Sequence, residues 1–286
     1  MTHPVTGIDH VFLLVNDLDE AARRYQALGF TVSPRGVHSA AKGSANHTIM
    51  FPNDYFELLG ILTPTEGNLA RRRSIESMGE GLHAIACRIE DATKGAKALA
   101  DLGINTTGLG AFERPVPLPD GGTGVAAFTT VSFAPEELPF GTVFMCQHRT
   151  RETVWLPELL THPNTACGLD AVLALSDDPQ GDAKRFARLW ADGRVMISAG
   201  GATVDTGPDS APLSLLDRGA LEALYPGTDL DRTPKGAFTA LRIRVRDMNA
   251  ARACLDAAGI APITTTLGLA VAPQDACGMI LEFVPE

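Results

Sequence analysis

Apolar and polar positions repeat one phrase four times along the chain. Each copy opens on a glycine, runs through an apolar stretch, meets an acidic residue, continues as an amphipathic segment and closes on a glycine. The copies open at Gly7-Ile8-Asp9-His10, Gly81-Leu82-His83, Gly168-Leu169-Asp170 and Gly236-Ala237-Phe238. In the first, the apolar run from Ile8 to Val15 predicts a buried strand. Asp17, with Glu20 three residues on, predicts a capped helix start. Ala21, Ala22, Tyr25 and Leu28 follow at helical spacing, and Gly29 supplies a left-handed helix end. Strands near 31–38, 47–51 and 55–62 complete a β-α-β-β-β unit.

The other copies follow the same plan. The second has a strand through Cys87 to Ile89, a helix near 92–102, a strand near Ile104, a Pro- and Gly-rich insertion over 113–124, and strands over 125–133 and 142–148. The third starts at Leu169 and opens its helix at Asp177-Asp178-Pro179. Ala199-Gly200-Gly201 then reads as a turn, 205–212 as loop and 213–216 as a strand. The fourth has strands over 238–245 and 279–284 around a helix near 249–258. Aligned on Asp17, Glu90, Asp177 and Asp247, the position seven back is His10, His83, Asp170 and Ala240. From there to the closing glycine is 19 residues to Gly29, 20 to Gly103, 23 to Gly193 and 19 to Gly259. One unit cannot bury both faces of its sheet, whereas two make a cupped sheet. The expected class is α+β: four βαβββ units in two pairs, each pair a cupped mixed sheet flanked by helices. The break falls within 159–168, giving a site-bearing half over 1–160 and a structural half over 161–286.

This pattern resembles the vicinal oxygen chelate superfamily of glyoxalases, bleomycin-resistance proteins and extradiol dioxygenases, and most of all bacterial glyoxalase-like domain proteins. The residues that carry the resemblance are Gly7-Ile8-Asp9-His10-Val11, the helix over 18–29, Tyr55-Phe56-Glu57-Leu58-Leu59, and the segment from Gln147-His148-Arg149 through Trp155 to His162-Pro163-Asn164. The resemblance implies a divalent metal (zinc, nickel, manganese, iron or cobalt) held by His10, Glu57 and His83, with Glu57 also able to shuttle a proton. Residues at fixed strand positions share a face, so such a set can converge in a cup. Two imidazoles and a carboxylate leave positions open for substrate oxygens. Read from Gly141, the last strand of the second unit puts Met145 where another carboxylate is expected. Gln147 lies two residues on and on the same side, so it is ranked as the fourth ligand. His148 falls on the other side unless a bulge intervenes.

Two functions stay open on this basis. One is a metal-dependent isomerase, lyase or epimerase acting on a small oxygen-chelating substrate. The other is a metal-free binding protein whose histidines are hydrogen-bonded wall residues. The second pair of units keeps neither histidine, which argues against ring cleavage by the dioxygenase arrangement; only Glu282 matches a last-strand carboxylate. His148, Arg149 and Trp155 belong to a segment expected to fold across the cup mouth and touch substrate. The run Arg71-Arg72-Arg73 reads as surface.

Bulk properties narrow the partners. The chain has 286 residues, 45% hydrophobic and 20% charged, enough for an ordinary core. A net charge of −10 argues against nucleic acid and anionic membranes. Five scattered cysteines fit no zinc or redox spacing. Met1-Thr2-His3-Pro4 begins no signal peptide, and no apolar run reaches a membrane span. The expectation is a cytoplasmic protein with reduced thiols and a small-molecule partner, for which homodimerisation is permitted but not required.

Overall fold

A computed structural model describes residues 2–118 and 121–286. The first half contains β1 (Val5–Val15), α1 (Leu18–Ala27), β2 (Gly36–Val37), β3 (Ser44–Met50), β4 (Tyr55–Ile61), α2 (Leu69–Met78), β5 (Gly81–Ile89), α3 (Ala92–Asp101), β6 (Thr106–Pro117), β7 (Thr123–Phe133) and β8 (Thr142–His148). The second contains β9 (Ala166–Leu175), α4 (Pro179–Ala187), β10 (Arg194–Ser198), β11 (Gly201–Asp205), β12 (Leu213–Leu216), α5 (Arg218–Leu224), β13 (Ala240–Val245), α6 (Met248–Ala257), β14 (Ile263–Thr264), β15 (Leu269–Val271) and β16 (Ile280–Pro285). These form two eight-stranded sheets, ordered β2-β3-β4-β1-β5-β8-β7-β6 and β10-β11-β12-β9-β13-β16-β15-β14. Within each unit the first and last strands pair in parallel, and the other ladders are antiparallel. The fold is α+β, with four βαβββ units in two pairs.

The acidic residue between strand and helix acts as a cap. The side chains of Asp17, Asp91, Asp178 and Asp247 accept backbone N–H groups at the starts of α1, α3, α4 and α6. Such a cap contributes about 1 kcal/mol. In the second and third units it lies one residue beyond the Glu90 and Asp177 used to align the sequence. Gly29, at φ +86°, leaves α1 through the left-handed region.

One apolar core runs through both halves on the helix-covered faces of the sheets, and Phe30 stacks on Phe283 across it at 5.7 Å. Smaller clusters line the concave faces. The edges of the first sheet curl until β2 and β6 touch, so its cup is almost a barrel.

Several elements depart from the expected pattern. The strand near 31–38 shrinks to Gly36–Val37. The Pro- and Gly-rich insertion is largely ladder, because β6 and β7 pair from Thr106↔Phe133 to Pro117↔Thr123; residues 119 and 120 of it lie outside the described residues. Ala199 and Gly200 form the expected turn, but Gly201 already opens the additional strand β11, while α2 and α5 are helices the hydrophobic pattern did not single out. Among the described residues no helix is long and apolar enough to cross a membrane.

Candidate active-site cup

Two bulges shape the first cup. Ile8 pairs with Cys87 and His10 with Ala86, so Asp9 is an extra residue in β1. Phe12 pairs with Ala84 and Leu13 with Leu82, so His83 is an extra residue in β5. Strict alternation would put Asp9 and His10 on opposite faces, and a bulge re-aims one of them. The Asp9 carboxylate, only 3% exposed, therefore reaches the His10 ring, with Oδ1 2.7 Å from His10 Nδ1 and 2.9 Å from His148 Nε2. Burial alone would raise the Asp9 pKa, but the hydrogen bonds it accepts from His10 and His148 hold it well below the usual carboxylate range. An ionised carboxylate only accepts, so both imidazoles donate to it. His10 is left with a bare Nε2, 4.0 Å from Glu57 Oε2. Its ring stacks on Tyr55 at 4.2 Å.

Glu57 lies on β4 opposite Phe12 of β1. It is buried, and among the described residues it accepts no hydrogen bond. Together His10 and Glu57 line a cavity of about 380 Å³. Phe12, Leu14, Phe112, Phe128 and Phe144 give this cavity apolar walls. Its polar walls also include His38, Lys42, Arg71, His83 and Arg114. Burial, then the Arg71 charge, lowers the Lys42 pKa to about 8; burial lowers that of His38 to about 4.

The expected ligand set does not assemble. His83 lines the cavity, yet its Nε2 donates to the Gly79 carbonyl at 2.8 Å. Burial depresses its pKa. Gln147 corrects the expectation further: its side-chain oxygen accepts the Ala92 N–H at the start of α3, on the far side of the sheet. Met145, on the same side as Gln147, is fully buried in the large core. The inward residues of β8 are Phe144, Cys146 and His148, one position out of register with the count from Gly141. Arg149 is exposed and forms no part of the cavity wall. Trp155 packs edge-on against His148 at 5.0 Å and donates to the Phe51 carbonyl, a support behind His148 rather than a cavity wall. Arg71 also departs from expectation, since it turns into the cavity while Arg72 ties α2 down through Asn68 and Thr65.

The donor chemistry bears directly on a metal. Among the described residues, one group brings three possible ligand atoms together: Asp9, His10 and His148. There Asp9 Oδ1 already accepts both imidazole N–H groups, and Tyr55, Phe128 and Trp155 crowd His148. A catalytic metal site keeps an open position, which this cluster lacks. Facing the cup, His10 Nε2 and Glu57 Oε2 are a pair of donors 4.0 Å apart, and among the described residues no group of three gathers around them. The residues present do not fit the expected three- or four-ligand centre.

The second cup is filled. Glu282, fully buried, accepts from Arg242 Nε at 2.7 Å, Tyr225 at 2.8 Å and Thr265 at 2.5 Å. Leu221, Tyr225 and Leu230 close it from above. Asp170, bulged out of β9 as His83 is out of β5, lies 3.8 Å from Arg242.

Asp9, Lys42 and Arg114 were not proposed as site residues from the sequence, and Arg71 was read as surface. A signal existed only for Asp9, a carboxylate inside an otherwise apolar strand.

Comparison with known proteins agrees with this architecture. A profile of the glyoxalase-like domain family matches residues 8–190. None of the curated proteins compared with the sequence matches it. Among solved structures, a hypothetical protein from Staphylococcus aureus superposes with a TM-score of 0.68 at 13% identity, covering 98% of this chain and 99% of that one. A triple mutant of 4-hydroxymandelate synthase from Streptomyces coelicolor gives 0.57 at 13%, covering 99% and 93%. A variant of homoprotocatechuate 2,3-dioxygenase from B. fuscum gives 0.57 at 14%, covering 100% and 72%. At such identities the likeness is one of fold. The profile match spans more than half of the chain, and with the paired βαβββ sheets it establishes that this protein belongs to the glyoxalase-like domain family of the vicinal oxygen chelate superfamily.

Proposed function

We propose that the first cup is the active site of an enzyme that moves a proton at a carbon beside a carbonyl, the chemistry of isomerases, epimerases and lyases, on a small molecule. The observation that carries this reading is His10. A buried Asp9 fixes its tautomer, and its bare Nε2 opens on a cavity next to Glu57. An imidazole oriented by a carboxylate is a competent general base. Glu57, which accepts no hydrogen bond among the described residues, is the second proton-carrying group on that wall. Asp9 acts through His10 and is a positioning residue.

A divalent metal would find His10 Nε2 and Glu57 as its donors, so no step is assigned to it. A metal-free binding protein is the second reading, favoured by the engagement of His83 with Gly79 and of Gln147 with α3.

Incubation in deuterium oxide with small 2-oxo acids, followed by proton NMR, tests the enzyme reading. Loss of the signal beside the carbonyl is expected, slowed by about 10²–10⁴-fold in His10→Gln. A bound 2-oxo acid that exchanges no faster than in buffer would support the binding protein instead. Metal analysis of untagged protein completes the test. Stoichiometric metal that disappears in Glu57→Gln would return a metal to this pair.

A further inference from the structure

We infer that the cup is built for a small organic carboxylate with an apolar body, its carboxylate set among Lys42, Arg71 and Arg114. The inference rests on the first cup being the ligand site, as proposed above. These cations come from three separate places: the turn before β3, helix α2 and strand β6. All three line the same cavity and are half-buried. Among the described residues none of their side chains has an ion pair or a hydrogen bond, whereas Arg23, Arg72, Arg88, Arg185 and Arg242 all have partners. Aromatic faces hold two of the three: Lys42 Nζ sits 3.0 Å from the Phe112 ring centroid, and Arg71 lies 5.8 Å from that of Phe12.

Charges withdrawn from water are normally paired, because an unpaired one keeps its desolvation cost. Here three cations face one wall carboxylate, Glu57, and among the described residues lining the cavity no other side chain supplies negative charge. An anionic ligand supplies it. Guanidinium groups match carboxylates by paired N–H donors. The same wall carries four phenylalanines and two leucines among its polar groups, and a bare inorganic anion would leave those apolar faces uncovered. A cavity of about 380 Å³ lies at the small end of ligand sites and suits one ring with a short chain.

Titration calorimetry with propanoate, hexanoate, 3-phenylpropanoate, 3-phenylpropanamide and inorganic phosphate provides the test. The expected order is 3-phenylpropanoate tightest, with the amide weaker by at least about tenfold. Arg71→Gln, on a helix with no buried residue, should lose most of that preference without disturbing the fold. His10→Gln should keep it, so failure of the proton-transfer reading would leave this inference standing. An amide that binds as well as its acid, phosphate binding as well as 3-phenylpropanoate, an unchanged Arg71→Gln, or no carboxylate bound below about 10 mM would each overturn it.

Discussion

Two glutamates hold the same place in two units and have opposite fates. Glu57 on β4 stands opposite Phe12 of β1, and Glu282 on β16 stands opposite Arg242 of β13. Phenylalanine offers no charge, so Glu57 keeps its carboxylate for the cavity. Arginine captures Glu282, and Tyr225 and Thr265 complete the capture. The other shared position diverges in the same way, with His10 open to the first cup and Ala240 silent in the second. One fold thus carries an open cup and a filled one, and the difference lies in which neighbours the inward positions receive.

The contrast breaks most visibly in the second cup. Arg242→Met would strand a buried carboxylate and should cost about 3–5 kcal/mol in urea unfolding, while carboxylate binding in the first cup stays unchanged. Next comes Glu57→Gln, which should slow deuterium exchange by about 10²–10³-fold in the NMR assay. Tyr225→Phe removes one hydrogen bond to Glu282 and should lower stability by about 1–2 kcal/mol, visible as a lower urea midpoint. The smallest effect is one of pH. Lys42 is charged below about 8, and a bound carboxylate favours its charged form. Affinity for 3-phenylpropanoate should therefore fall several-fold as pH rises past 8. His38 is neutral throughout that range, and Arg71 and Arg114 stay charged, so among these groups Lys42 carries the change. Calorimetry between pH 7 and 9.5 reads it, and a flat profile would remove Lys42 from the site.

The sequence showed the fourfold phrase clearly because caps, apolar runs and closing glycines are local signals. It also placed His10 and Glu57 on strands that share a cavity. Asp9 was hidden because alternation assumes a period of two, and the bulge in β1 breaks that period where the site is made. In β8 alternation holds, and a starting point one position off, counted from Gly141, sent Gln147 inward and His148 outward. Met145 decides the true register, since its apolar side chain belongs in the large core. His83 kept its repeat-equivalent position, but a second bulge and the Gly79 carbonyl turned its Nε2 to a backbone partner. Lys42, Arg71 and Arg114 were out of reach for another reason. They converge only when the first sheet curls and α2 crosses it, and neither leaves a mark on a single strand.

The central claim is that Glu57 serves the site and Glu282 serves the fold. Urea unfolding of Glu57→Gln and Glu282→Gln, measured side by side, addresses it directly. The account expects Glu282→Gln to lose about 3 kcal/mol, because Arg242 loses its close buried partner and keeps only the more distant Asp170, and Glu57→Gln to stay within about 0.5 kcal/mol of the parent protein. Equal losses, or a larger loss for Glu57→Gln, would contradict it.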